Sequence, residues 1–215
     1  MTRRPSRVRG PSMPLPRHIT ETFYTLCWDL VSDPVYVLDA HGISVRPRHT
    51  TRRHALVALW MTACALRFSE MRRLSTADVS KAGRYVYVTR SKGGLSGNVP
   101  LAKVLISQTF RWREEKTDTL LSPWLLPSRT GNQLSNNAFN RDAGKLFEVL
   151  VGIQITSHCF RCTAAQLAMA QEAKARETQR LLGHKSQATT ELYCQKLLTE
   201  AFQLGLFEQV HHETR

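Results

Sequence analysis

The chain has 215 residues, 42% of them hydrophobic, which gives room for one ordinary domain with an extra arm and excludes a wholly disordered chain. Lys and Arg number 30 against 17 Asp and Glu, so the net charge is +13 with a pI near 10.1, and a polyanionic partner is implied, either nucleic acid or an anionic membrane surface. A membrane span is excluded because no stretch reaches ~18 apolar residues, and an odd five cysteines disfavour a disulfide framework and favour a reducing cytoplasm.

Residues 1–17 are rich in Arg and Pro and hold no acid, a flexible cationic arm that either trails free or lies on phosphates. The arm leads into no apolar segment of the secretory kind. Ile19, Phe23, Leu26, Cys27, Leu30 and Val31 recur at spacings of three and four and predict a helix over 19–31, stopped by Asp33-Pro34. A loop is expected over 34–52. Its end is a second basic cluster, with Arg46, Arg48, Arg52 and Arg53 as either solvated surface or a phosphate track. The segment from His54 to Leu66 is apolar on all faces and predicts a central helix.

Ser75-Thr-Ala-Asp78 has the pattern of a capped helix start. The β-branched and aromatic run from Arg84 to Arg90 predicts a strand, and Arg90 joins the candidate DNA contacts. A glycine-rich turn and a short edge strand at Val99-Pro100-Leu101 complete a hairpin with Lys92 near its tip. Further helices are predicted over 102–116, within 134–150 as one or two, over 158–172 behind a Thr156-Ser157 cap, over 175–182 ended by Gly183, and from Ser186 to Phe202. The expected fold class is mainly α with a small antiparallel β-sheet (α+β), a helical bundle without internal repeats.

Some polar residues stand where a core would not ask for them. Arg67 directly follows the apolar helix, where a long cation either snorkels out or meets an anion. His158 and Arg161, three apart near a helix N-terminus, share a face with free backbone amides, an anion-binding arrangement. His184 lies just past a glycine-ended helix, where it either caps the last carbonyls or acts chemically, and Tyr193 follows nine residues later. Cys159-Phe-Arg-Cys162 is formally a C-x-x-C, but zinc would need two more ligands at metal spacing and redox chemistry a βαβ setting, so free thiols packing a helix are expected and no metal. P-loop, H-E-x-x-H and G-x-S-x-G patterns are absent, and the acids are too scattered for a metal-dependent nuclease.

Ala65-Leu-Arg-Phe-Ser-Glu70, Ser91-Lys92-Gly-Gly with Val99-Pro-Leu101, Ser157-His-Cys-Phe-Arg161, and Leu181-Leu-Gly-His-Lys-Ser-Gln-Ala-Thr-Thr-Glu-Leu-Tyr193 follow one another in an informative order. In that order and spacing, over about residues 18–205, the chain resembles the catalytic domain of the tyrosine recombinases, the family of the phage integrases and of the Xer, Cre and Flp proteins. The resemblance implies that Tyr193 attacks a DNA phosphodiester to form a 3′-phosphotyrosine. It implies that Arg67, Arg161 and His184 hold the scissile phosphate, that Lys92 protonates the leaving 5′-oxygen, that His158 moves a proton at the tyrosine, and that Glu70 supports Arg67. Phosphoryl transfer of this kind needs positioning and cationic clamps, and it proceeds without metal, ATP or other cofactor.

Phe160 and Cys162 depart from the family's H-x-L-R-H, at positions with no assigned chemistry. Most members carry a separate N-terminal domain that closes a clamp on DNA. Here only the basic arm is expected before the catalytic domain, at 18–215, as in the short recombinases that invert fimbrial promoter segments. The apolar residues from 195 to 215 form either an oligomerisation tail or packing in cis. The resemblance implies site-specific strand exchange on double-stranded DNA in the cytoplasm, at the nucleoid, by a homo-oligomer that is tetrameric at synapsis, with room for an accessory or partner recombinase. The competing readings are a non-catalytic DNA-binding protein on the same scaffold and a type IB topoisomerase-like activity.

Overall fold

A computed structural model describes residues 15, 17–32, 37–38, 44–45, 47–80, 82–91, 94–153, 155–170 and 175–183. The first helix, α1 (Arg17–Ser32), follows the expected stripe and buries Phe23, Tyr24, Cys27, Leu30 and Val31. The packed core reaches slightly into the segment read as an arm. Leu15 is buried, and its amide donates to Thr163 Oγ1 at 2.8 Å.

The expected loop over 34–52 contains two short strands, β1 (Val37–Leu38) and β2 (Ser44–Val45), paired antiparallel. It also contains the start of the central helix, α2 (His49–Ala63), which begins five residues before the expected His54. Pro47 and the extended backbone of Arg48 set that start. The shift winds half of the basic cluster into the helix. From Arg52 to Ala63 every residue of α2 is buried, against α1, α4, α6 and α7.

The end of α2 is the turn on which the site is built. Leu66 N–H donates to Met61 O at 2.9 Å and Ala65 N–H to Thr62 O at 3.2 Å, the paired bonds of a Schellman motif. The residue in the left-handed position is Ala65, φ +48°, where glycine is usual. The chain then enters α3 (Phe68–Met71), and the expected helix start at Ser75 proves to be a single 3-10 turn, Thr76–Asp78.

Strands β3 (Tyr85–Val88) and β4 (Gly97–Pro100) form the expected hairpin, with Val86 opposite Val99. Val86 and Val88 face inward and Tyr85 and Tyr87 outward. Helix α4 (Lys103–Glu114) meets the short α5 (Thr117–Leu120), which has no sequence forecast. One helix, α6 (Asn136–Val151), stands where one or two were expected within 134–150, and it ends on Gly152, φ +73°. Helices α7 (Ser157–Ala170) and α8 (Ala175–Leu182) follow as expected, and Gly183, φ +64°, closes α8. The helix expected from Ser186 and the tail at 195–215 lie outside the described residues.

Phe160 packs with its ring centroid 5.8 Å from Phe23 and 5.6 Å from Phe147, and these two are 5.1 Å apart. The aromatic trio joins α1, α6 and α7, and each such pair adds about 0.5–1.5 kcal/mol beyond its area. Phe160 is therefore a core residue that fixes α7, the helix that carries His158 and Arg161.

Candidate active site

Four pieces of chain meet at Glu70: the Schellman turn after α2, the start of α3, the end of β3, and the first turns of α7. The Glu70 carboxylate, 2% exposed, accepts the Arg67 backbone N–H at 2.9 Å and the Arg67 guanidinium at 2.9 Å. It also accepts the Arg90 guanidinium at 3.1 Å and both the amide and hydroxyl of Ser91 at 3.0 Å. The Arg161 guanidinium stands 3.9 Å away. Burial by itself would push this carboxyl up. The Arg67 amide, the Arg90 charge, the Ser91 amide and the Arg67 guanidinium outweigh it and hold the pKa at about 2.

Arg161 donates to Ala65 O and, at 2.6 Å, to Leu182 O. Arg90 donates to Ala65 O at 3.3 Å, to Cys64 O at 3.2 Å and to Leu181 O. Two guanidiniums thus sit on the C-terminal carbonyls of α2 and α8, the negative ends of both helices. Three cations share one carboxylate, a local excess of positive charge. Burial, reinforced by Arg67 and Arg90 and opposed by Glu70, lowers the Arg161 pKa to about 9. Arg67 is the member of the group that reaches solvent, its side chain 27% exposed.

His158 lies on the exposed side of the first turn of α7, and Ser157 N–H donates to Asn140 Oδ1 at 3.2 Å, which ties that turn to α6. Burial and then the charges of Arg161 and Arg67 lower the His158 pKa, so the ring senses both guanidiniums and is held toward its neutral form. The chemistry open to this arrangement is anion binding at Arg67, with the buried Arg161 charge behind it, beside an imidazole held toward its neutral form.

The structure therefore brings Arg67, Glu70, His158 and Arg161 together. Lys92, His184, Tyr193 and Arg46 lie outside the described residues, although the flanks of Lys92 and His184, Ser91 and Gly183, border the cluster. Among the candidate DNA contacts, Arg48 is exposed. Arg52, Arg53 and Arg90 are a correction. Each is buried, because helix α2 starts early and because Arg90 continues the inward face of Val86 and Val88. Arg52 pairs with Glu115 at 2.6 Å and Arg53 donates to Pro127 O at 3.3 Å, so neither is presented as a surface phosphate contact.

Sequence reasoning missed Arg90 as part of the cluster, and strand alternation was the signal that would have found it. Cys159 is half-buried and Cys162 buried on α7. Among the described residues no three His, Cys, Asp or Glu side chains gather as a metal site, and no helix is long and apolar enough to cross a membrane.

The phage integrase family model matches residues 43–200. Tyrosine recombinase XerD of Rhizobium meliloti (strain 1021) is 33% identical over 150 residues, 66% of this chain and 46% of that protein. Tyrosine recombinase XerA of Pyrococcus furiosus is 28% identical over 192 residues, 87% of this chain and 60% of that protein. The chain thus spans about half to three-fifths of the length of the curated relatives it matches. In fold it is similar to a crystal structure of XerA recombinase, with TM-score 0.60 at 20% identity over 96% of this chain and 68% of that one. It is also similar to XerH site-specific recombinase bound to difH substrate, with TM-score 0.64 at 19% identity over 85% of this chain and 50% of that one.

Proposed function

The chain belongs to the phage integrase family, and on that footing we propose that it is a site-specific DNA recombinase that cuts and rejoins strands through a 3′-phosphotyrosine. The observation that carries the reading is the convergence of Arg67 and Arg161, 94 residues apart in sequence, on one buried carboxylate, with His158 in the field of both. A phosphodiester approaching Arg67 meets two guanidiniums that can neutralise its non-bridging oxygens as charge develops.

In this reading the Tyr193 oxygen bonds to phosphorus, the P–O5′ bond breaks, and Lys92 gives the leaving oxygen its proton. His158, held toward neutrality, takes the phenolic proton, and His184 completes the phosphate clamp. A tyrosine hydroxyl near pKa 10 needs such an acceptor. Return of the 5′-hydroxyl reverses each step, so a strand can be rejoined to a new partner with no external energy source and no metal. The partner is double-stranded DNA at the nucleoid, and the working assembly is a homo-oligomer, tetrameric at synapsis. The basic residues before Leu15 and Arg48 track phosphates, the tail beyond 195 docks on a neighbouring protomer, and an accessory or partner recombinase supplies any missing grip. Among the solved structures similar in fold is a lambda integrase tetramer bound to a Holliday junction.

The test is covalent trapping on nicked duplexes drawn from the encoding locus, run on denaturing gels with and without EDTA. Wild type should form an adduct in both conditions, and Tyr193→Phe should bind the same duplexes without forming one. An adduct that persists in Tyr193→Phe, or that disappears on chelation, would overturn the reading. Relaxation of plasmid of any sequence would instead indicate a topoisomerase.

A further inference from the structure

We propose that Arg90 is a positioning residue: it fastens the β3–β4 hairpin to the C-terminal ends of α2 and α8, the same ends whose carbonyls hold Arg161, and so sets the spacing between the hairpin's proton donor and the phosphate clamp. The proposal rests on the recombinase reading given above.

Arg90 is 6% exposed and turned into the protein. Its guanidinium instead spans three elements: Glu70 on α3, the Cys64 and Ala65 carbonyls after α2, and the Leu181 carbonyl on α8. Its backbone amide donates to Ser96 Oγ at 3.0 Å, across the hairpin. The next residue, Ser91, puts both its donors on Glu70.

The returning strand is fastened to the same place. Leu95 N–H donates to Gly183 O at 3.2 Å. A Cβ on Gly94 would stand 2.6 Å from Gly183 O and 2.9 Å from Arg90 Cβ, and a Cβ on Gly183 would stand 2.7 Å from Arg90 Nε. Backbone, arginine and helix end thus close on one another with no space for a side chain. Lys92 lies in sequence between these two fastenings, and His184 follows Gly183 directly. A lysine at position 90 has a single point of charge and cannot serve a carboxylate and three carbonyls together.

The measurement compares single-turnover adduct formation by the full chain on two duplexes. One carries the natural 5′-bridging oxygen at the scissile phosphate and the other a 5′-bridging sulfur. Sulfur departs as a thiolate without needing a proton, so a defect confined to proton delivery disappears on that substrate. Arg90→Met should lose on the order of 10²-fold on oxygen and return to within a few-fold of wild type on sulfur, with Arg90→Lys between them and Lys92→Ala showing the same recovery.

Equal losses on both substrates, or no loss on oxygen, would overturn the proposal. Should Arg90→Met fail to fold, Gly94→Ala displaces the same joint without removing a buried charge, and the same two outcomes decide. If wild type forms no adduct on either duplex, the recombinase reading is what fails. The joint is then judged by hydrogen exchange without DNA: Arg90→Lys should speed exchange at residues 94–97 and 181–183 together, and unchanged exchange would sink it.

Discussion

The two ends of helix α2 both bury arginines, and they do so on opposite physical terms. At the N-terminal end Arg52 and Arg53 stand where the helix dipole repels cations. Each is met separately, Arg52 by Glu115 and Arg53 by the Pro127 carbonyl, and the Nε of each has no partner among the described residues. At the C-terminal end Arg90 and Arg161 lie on the carbonyls the helix leaves open, around a single carboxylate. The first arrangement keeps its cations within the protein, Arg52 against a carboxylate and Arg53 against a carbonyl, whereas the second leaves an excess that Arg67 carries toward solvent. A buried arginine does not by itself mark a site. Convergence on a shared carboxylate with an outward-reaching member does.

The strongest way to break that comparison is to remove the shared carboxylate. Glu70→Gln should cost about 3–5 kcal/mol in urea unfolding at neutral pH, because three cations lose their common partner. The folded carboxyl lies at about 2, below its ordinary 4.5, so its stabilisation is full above 4.5 and is lost as pH falls toward 2. Wild type and variant should therefore converge across that window, and parallel curves down to pH 3 would show that Glu70 is not the hub.

Arg161→Lys comes next. It replaces a fork that serves two carbonyls and faces Glu70 with a single ammonium. Loss of one such donor from a developing anion should lower adduct formation about 10²–10³-fold. Arg53→Lys at the other end of the helix should change the rate of folded enzyme by less than about threefold and register in stability instead. Equal kinetic losses would erase the distinction between the ends.

Much of this was legible in the chain. The helical stripe of α1, the hairpin and the Gly183 stop follow from local pattern, because each depends on spacing or on a turn residue, whereas the four clustered site residues were singled out as a set by the resemblance to the tyrosine recombinases. The early start of α2 was not legible, since Arg52 and Arg53 break an apolar pattern while still being buried. Their partners, Glu115 and Pro127, lie more than sixty residues away. The same holds for Arg90, whose partners come from positions 64, 65, 70 and 181. Long-range satisfaction of a buried cation leaves no local signature beyond the strand's alternation.

A pH titration sharpens the N-terminal side. Burial first, then the neighbouring Arg53 charge, lower the His54 pKa from 6.5 to about 4, with Asp142 opposing. A depressed value means that the unfolded chain binds the proton first, so stability is full above 6.5 and falls as pH drops toward 4, by about 3 kcal/mol for this ring. His49 and His158 add to the slope in the same direction. His54→Gln should flatten the stability–pH curve over that window by His54's share, and an unchanged slope would mean that burial and Arg53 do not depress this ring.

The smallest effect belongs to Ala65, and its smallness is the informative part. Its left-handed backbone costs an alanine about 1–2 kcal/mol, which glycine would relieve. Glycine also gives up a fully buried methyl, about 0.8 kcal/mol, and frees the unfolded chain by about 0.4–1 kcal/mol. The contributions nearly cancel, so Ala65→Gly should lie within about 1 kcal/mol of wild type in thermal unfolding and keep its cleavage rate. Ala65→Val should not, because a β-branched residue resists this conformation and would turn away the carbonyl that Arg90 and Arg161 share. If valine were tolerated as well as glycine, the turn would not be what aligns the two guanidiniums, and the C-terminal end of α2 would lose its claim to differ from the other.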